Sequence, residues 1–194
     1  MLPLVQAIAE NIIPLSEKPF ALFGHSMGAR VSFELTRELQ RTHGIKPAHL
    51  FVGGSCSPEI VPSAPPTYNL PDPEFIESLR KLNGTPRGVL ENPELLQIVL
   101  PILRADITLC QTYVYSPGPP LDCPITVYSG LEDQEVDREG LEAWRKQTTS
   151  TFSLYQLPGD HFFLRTSQSL LLNLLSRELR SLTEQVQSGA DDTF

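Results

Sequence analysis

Gly24-His25-Ser26-Met27-Gly28 fits the pattern G-x-S-x-G, in which a serine hydroxyl is lifted out of a sharp strand-to-helix turn and made available as a nucleophile. The glycines are what such a turn requires. The serine backbone is strained and its neighbours are crowded, so small residues two positions either side let the chain close while Oγ stays exposed. The competing reading of Ser26 is the ordinary one for a serine at a helix start, an N-cap hydroxyl.

A serine hydroxyl needs a base to take its proton and a carboxylate to orient that base. In the chain order that accompanies this turn, an Asp or Glu follows the serine and a His comes last. Of the four histidines, His25 lies inside the motif, and His43 and His49 lie between the next helix end and the next strand. His161 follows a strand-like run, Phe152–Leu157, and a turn, Pro158-Gly159-Asp160. A loop at the carboxyl end of that strand would bring its imidazole to the same sheet edge as Ser26. A histidine before Phe162-Phe163 could also be a half-buried packing residue; its place after a sheet strand decides against that. For the carboxylate, the run Pro124–Tyr128 ends in Ser129-Gly130 and leads to Leu131-Glu132-Asp133. Asp133 sits at another strand's carboxyl end, while Glu132, Asp137 and Asp160 compete for the role.

The elements that must hold these residues are readable from apolar spacing. Leu4, Val5, Ile8, Ile12 and Ile13 recur at helical intervals, and the run Phe20–Phe23 after Pro19 reads as a buried strand. Val31, Phe33, Leu35 and Leu39 mark a helix that ends near Gly44, and His49–Gly53 reads as a second strand. Proline punctuation from Pro58 to Pro73 then leads into helical patterns at Glu74–Leu82 and Glu94–Leu109, an insertion of the kind that covers a site. Strands return at 124–128 and 152–157, separated by a helix over 138–148 and followed by one over 167–187. Strands alternating with helices imply an α/β fold with a mostly parallel sheet flanked on both sides. The reading is a single domain over residues 1–187, a helical lid at about 71–109, and a flexible tail over 188–194.

Composition narrows the partners. The chain has 194 residues, 15 Lys+Arg against 23 Asp+Glu, and a formal charge of −8. That balance, with no run of more than two basic residues, argues against nucleic acid. No segment reaches the ~20 apolar residues that cross a bilayer, and the first residues lack a basic export signal. Cys56, Cys110 and Cys123 are odd in number and far apart, which fits reduced thiols in a cytoplasmic protein better than a disulfide framework or a metal site.

These residues resemble a known family, the type II thioesterases of nonribosomal peptide and polyketide assembly lines, within the α/β-hydrolase superfamily. The resemblance is carried by Pro19–Ala29 around the serine, by Leu82-Asn83-Gly84-Thr85-Pro86, and by Leu100–Asp106. It continues through Gly130-Leu131-Glu132-Asp133, Trp144 and Leu157–Leu164, and runs from about Pro3 to Leu182. It implies an α/β-hydrolase fold with Ser26 as nucleophile, Asp133 as acid, His161 as base and the Met27 N–H as an oxyanion donor. It also implies an acyl- or peptidyl-carrier protein bearing phosphopantetheine as partner, with no cofactor and no metal in the enzyme itself. Two departures stand out. Asp160 occupies a position where such proteins often have a second glycine. The chain also starts inside the helix before the serine-bearing strand, so the N-terminal strands of the usual fold, with their share of the oxyanion hole, are expected to be absent and that strand to show an unpaired edge.

The function expected is hydrolysis of acyl groups from carrier proteins, as an editing or release helper of nonribosomal peptide or polyketide synthesis. Two others compete: a general carboxylester hydrolase, because the motif does not distinguish oxygen from sulfur esters, and an impaired module that only binds carrier proteins. Phe75, Leu79, Leu95, Val99 and Leu103 are expected to cover the acyl chain, to pack the insertion on the sheet, or to do both; Arg80, Lys81 and Arg87 read first as a solvated surface face, and are the local basic patch if charge is to recruit an acidic carrier.

Overall fold

The computed structural model describes residues 1–191, with side chains through residue 184. Four strands, β1 (Ala21–His25), β2 (His49–Gly53), β3 (Ile125–Gly130) and β4 (Phe152–Leu157), form one parallel sheet in the order β1-β2-β3-β4. The register sets Gly24 beside Val52, Val52 beside Val127 and Val127 beside Leu154. Every residue of β2 and β3 is buried, whereas β1 pairs with β2 alone among the described residues and exposes Phe23.

Alternation along the strands sends side chains to two separate cores, as the pleat demands. Leu50, Val52, Ile125 and Val127 face Ala29 and Phe33 of helix α2 (Met27–His43), together with Leu141 and Trp144. Phe51, Tyr128 and Leu157 face the opposite way and pack on Phe163 of the short helix α7 (Phe163–Thr166) and on Leu171 of α8 (Gln168–Asp191). Both faces of the sheet are therefore covered, which a parallel sheet requires. The first helix, α1 (Leu2–Ile12), lays Val5 and Ala9 against Leu35 and Leu39 of α2. At its far end α2 stops at Gly44 in the left-handed region, φ 65°, with the Gly44 and Ile45 N–H groups donating back to the last turn.

Between β2 and β3 the chain builds α3 (Asp72–Leu82), α4 (Arg87–Leu90) and α5 (Pro93–Gln111). Phe75, Leu79 and Leu90 form a core of their own there, joined by Leu70, Leu96, Leu100, Leu103 and Ile107. Phe75, Leu79 and Leu103, expected to line an acyl chain, thus pack the insertion itself, and Leu95 is 44% exposed. After β3, the helix expected over 138–148 is divided into α6 (Arg138–Glu142) and a 3₁₀ turn, Ala143–Gln147. The expected tail, 188–194, begins within the backbone of α8, and residues 192–194 lie outside the described residues.

Phe33 is the joint between α2 and the sheet: it is buried and meets Trp144 edge-on with ring centroids 5.5 Å apart. Phe33→Ala should cost about 3–5 kcal/mol by leaving a cavity under α2. Trp144 is the sole tryptophan and lines that cavity, so its fluorescence during denaturant unfolding measures the loss directly.

Candidate active site

β1 ends at His25 and α2 begins at Met27, so Ser26 alone makes the turn between them. Its backbone sits at φ 53°, ψ −113°. Only two non-glycine residues among those described have positive φ, and Ser26 is one of them. The turn is held by the Ser26 N–H donating to the Gly53 carbonyl of β2 at 2.7 Å, and by the Ala29 N–H donating to the Ser26 carbonyl at 3.1 Å. Ser26 occupies the N-cap position of α2, yet its hydroxyl makes no capping bond. The N-cap reading of this serine is set aside by that geometry.

The two glycines of the motif do different work. A Cβ on Gly24 would overlap the Gly28 carbonyl and the Ser32 hydroxyl, so only glycine lets α2 fold back this closely on β1. A Cβ on Gly28 would meet nothing within 4 Å. Crowding therefore explains the first glycine and not the second.

The Ser26 hydroxyl lies 2.9 Å from Nε2 of His161. On the other side of the ring, Nδ1 lies 3.0 and 3.1 Å from the two carboxylate oxygens of Asp133. With Nδ1 protonated toward the carboxylate, Nε2 is free to accept from the serine O–H. The Asp133 side chain is fully buried, that of His161 nearly so, and one Asp133 oxygen also accepts from the Glu135 N–H at 2.9 Å. All three residues follow the carboxyl ends of parallel strands: Ser26 after β1, Asp133 after β3, His161 after β4.

Two close backbone approaches assemble the last pair. A Cβ on Gly130, at the end of β3, would overlap the carbonyls of Gly159 and Asp160. Without it, the Glu132 N–H reaches the Gly159 carbonyl at 2.9 Å, and Asp133 comes level with His161. Gly159 has φ 117°, in the region that favours glycine, and turns the chain from β4 toward the histidine.

The other candidates are placed elsewhere. Asp137 caps α6 through the Gly140 N–H, Asp160 accepts from Asn83 and from the Phe162 N–H, and Glu132 is exposed. His43 is exposed at the end of α2. His49 is buried, 2.8 Å from the Thr126 hydroxyl, and stacks on Phe51. His25 does something that its position in the motif only hinted at: its Nε2 donates to the His161 backbone carbonyl at 2.8 Å. Burial, assisted by the neighbouring His161, pushes the His25 pKa down to about 4, and burial alone does the same to His49. Met27 is the first residue of α2, so its N–H lies at the positive end of the helix, outside the intrahelical ladder. Among the described residues no group of three or more His, Cys, Asp or Glu side chains could hold a metal.

A family model described as a thioesterase domain matches residues 2–179. The gramicidin S biosynthesis protein GrsT of Aneurinibacillus migulanus is 47% identical over 178 residues, covering 91% of this chain and 69% of that protein. The RedJ thioesterase from the prodiginine biosynthetic pathway in Streptomyces coelicolor superposes with a TM-score of 0.82 at 39% identity, covering 91% of this chain and 66% of that one. The type II thioesterase BorB from the borrelidin biosynthetic cluster superposes with a TM-score of 0.80 at 31% identity, over 92% and 70%. The chain thus spans about two thirds of the length of these relatives.

The turn yields a paired prediction. Gly24→Ala should prevent the strand and helix from closing and destabilise the fold by more than about 3 kcal/mol. Gly28→Ala should leave stability unchanged or raise it by about 0.5–1 kcal/mol, because alanine suits a helix better. Denaturant midpoints of the two variants decide it.

Burial of His25 and His49 sets the acid limb of stability. Unfolded, both take up protons near pH 6.5, whereas folded they do so only near 4. Their contribution is complete above pH 6.5 and is lost as pH falls toward 4. Calorimetric unfolding near pH 5, in buffers of different ionisation enthalpy, should show uptake of ~1 proton for each of these histidines.

Proposed function

Because this chain belongs to the thioesterase family, in the α/β-hydrolase branch of type II enzymes that serve nonribosomal peptide and polyketide assembly, we propose that it hydrolyses acyl thioesters on the phosphopantetheine arm of carrier proteins. Ser26, His161 and Asp133 carry the chemistry. The single observation that supports this is the unbroken line from a buried carboxylate through both ring nitrogens of His161 to a strained, uncapped serine hydroxyl.

The steps follow from the contacts. His161 Nε2 takes the Ser26 proton as Oγ adds to the thioester carbonyl, and the imidazolium so formed lies against the Asp133 carboxylate. The developing oxyanion is met by the Met27 N–H, the donor that follows the nucleophile in this turn. Collapse of the adduct breaks the C–S bond, and the proton held on Nε2 passes to the pantetheine sulfur. Water, deprotonated by the same nitrogen, then adds to the acyl-serine carbonyl; the C–O bond to Ser26 Oγ breaks, the proton on Nε2 returns to Oγ, and the acid is freed. His25 remains neutral above pH ~4 and so places no second positive charge beside the imidazolium. The pantetheine arm arrives with the carrier and is part of the substrate.

Recruitment of the carrier rests on short-range fit more than on charge. Arg80 pairs with Glu77 and Arg87 with Glu91, which largely neutralises the basic patch expected on the insertion. Long-range attraction toward an acidic partner is weak for a chain of charge −8. No helix among the described residues is long and apolar enough to cross a membrane, and half-buried Cys56 and Cys110 and buried Cys123 are unbonded.

Purified protein should release acetyl and hexanoyl groups from a loaded carrier protein, and Ser26→Ala should abolish release. Asp133→Asn should lower kcat by about 10³–10⁴ by favouring the wrong tautomer of His161. Equal or greater efficiency on a simple nitrophenyl ester would identify a general ester hydrolase. Carrier binding by folded wild-type protein without turnover would identify a binding module.

A further inference from the structure

The two oxygens of Asp160, next to the base His161, point in two directions. Oδ1 accepts from the Phe162 N–H at 2.8 Å, inside the loop that carries His161. Oδ2 accepts from the Asn83 amide at 2.8 Å, on the turn between α3 and α4 of the insertion. The Asn83 bond is the main reason the Asp160 carboxyl titrates below its usual range, with the Phe162 N–H and His161 adding to it.

Asn83 is the other non-glycine residue with positive φ, at 58°, where it ends α3. Glycine is the residue that best suits such a helix end. An asparagine there accepts some strain and in return places an amide against Asp160. Contacts next to it make the same connection. The Arg165 guanidinium donates to the Gly84 carbonyl at 2.7 Å and lies over the Phe162 ring at 5.0 Å. A Cβ on Gly84 would overlap that ring, so the insertion turn is seated directly on the residue after His161. Phe162 in turn meets the His161 imidazole edge-on at 5.1 Å and the His25 ring at 5.6 Å.

We propose that Asn83 and Asp160 are positioning residues that latch the helical insertion to the base-bearing loop, so that His161 is aligned with Ser26 only while the insertion is seated. Two rigid pieces share one carboxylate. When the insertion lifts to admit an acyl arm, Asp160 loses a partner and the Phe162 ring loses its seat, and the loop holding His161 loosens. When the insertion settles, the 2.9 Å approach of Nε2 to Ser26 is restored. Proton transfer is thereby tied to a covered site, which excludes bulk water from the acylation step.

The latch rests on the thioesterase reading for its kinetic consequence, though not for its existence. Asn83→Gly isolates it, because glycine keeps the left-handed helix end and deletes only the amide. With carrier-bound substrate, kcat should fall about three- to tenfold, the range of one ordinary solvent-exposed hydrogen bond, with KM changed by less than about twofold. Melting temperature should hold or rise. Hydrogen exchange should quicken several-fold in residues 160–167, where the Phe163, Arg165 and Ser167 N–H groups bond within the loop. Asn83→Asp sets two carboxylates face to face; it should lower kcat further, and about 1 M salt should recover part of the loss. Combining Asn83→Asp with Asp160→Asn reverses the hydrogen bond and should restore both kcat and exchange.

Wild-type kcat and unchanged exchange in Asn83→Gly would overturn the proposal, as would a double exchange no better than its worse single variant. If the wild-type protein cleaves no thioester, the functional reading fails. The exchange measurements then still decide whether the latch exists.

Discussion

The Ser26 backbone conformation is the constraint from which the rest of this molecule follows. A non-glycine residue at φ 53°, ψ −113° costs on the order of 1–3 kcal/mol, and it persists only where the surroundings leave no alternative. Here β1 is fixed by parallel pairing to β2, the Ser26 N–H is taken by the Gly53 carbonyl, and α2 is held down on the sheet by Ala29 and Phe33. Relaxing the turn would require giving up one of these. The strain is maintained by burial of helix and sheet residues that take no part in chemistry, and its result is a hydroxyl that caps nothing and points to His161.

Parallel strands supply the second condition. Because all the strands run the same way, their carboxyl ends share one edge, and residues from β1, β3 and β4 meet there although more than a hundred positions separate Ser26 from Asp133 and His161 in the chain. The spacing is then refined by absence of side chains. Gly24 lets the helix close on its strand, and Gly130 lets the histidine loop lie against the end of β3. Electrostatics complete the arrangement: the carboxylate of Asp133 is buried next to the imidazole it bonds, and the second histidine in reach, His25, is kept neutral by burial and spends its N–H on the loop.

Much of this was legible beforehand. β2 and β4 have the bounds their apolar runs indicate, and α2 stops at the glycine that marks its end. Ser26, His161 and Asp133 lie within hydrogen-bond reach of one another; motif and chain order pointed to the first two, while among the four acids it was the family resemblance that singled out Asp133. What escaped was tertiary. Apolar spacing in α3 and α5 shows that these helices have a buried face, but not whether that face meets a substrate or a neighbouring helix; the short α4, with Leu90, supplies the missing wall and closes a private core. Crowding likewise cannot be seen one residue at a time, which is why both motif glycines read alike and only Gly24 proves to be hemmed in. His25 looked like part of a turn, and its partner, a carbonyl 136 positions away, exists only in three dimensions.

The separate core of the insertion bears on how such a site can open. Phe75, Leu79 and Leu90 pack on apolar residues of the insertion itself. Its ties to the rest of the molecule include polar contacts: Arg30 to the Cys110 carbonyl at 2.7 Å, Tyr113 to Glu34 at 2.5 Å, Asn83 to Asp160 and Arg165 to the Gly84 carbonyl. A hydrogen bond broken in water is replaced by one to water at a net cost of about 0.5–1.5 kcal/mol, whereas parting two apolar faces costs about 25 cal/mol for every Å² exposed. These polar ties therefore part at modest cost and, being directional, restore one seat, while the contact of Gly84 with the Phe162 ring is the apolar part of the seat. The exposed Ile98 and Ile102 on α5 travel with the insertion. The strained turn at Ser26 rests on the sheet and its two cores, neither of which contains a residue of α3, α4 or α5.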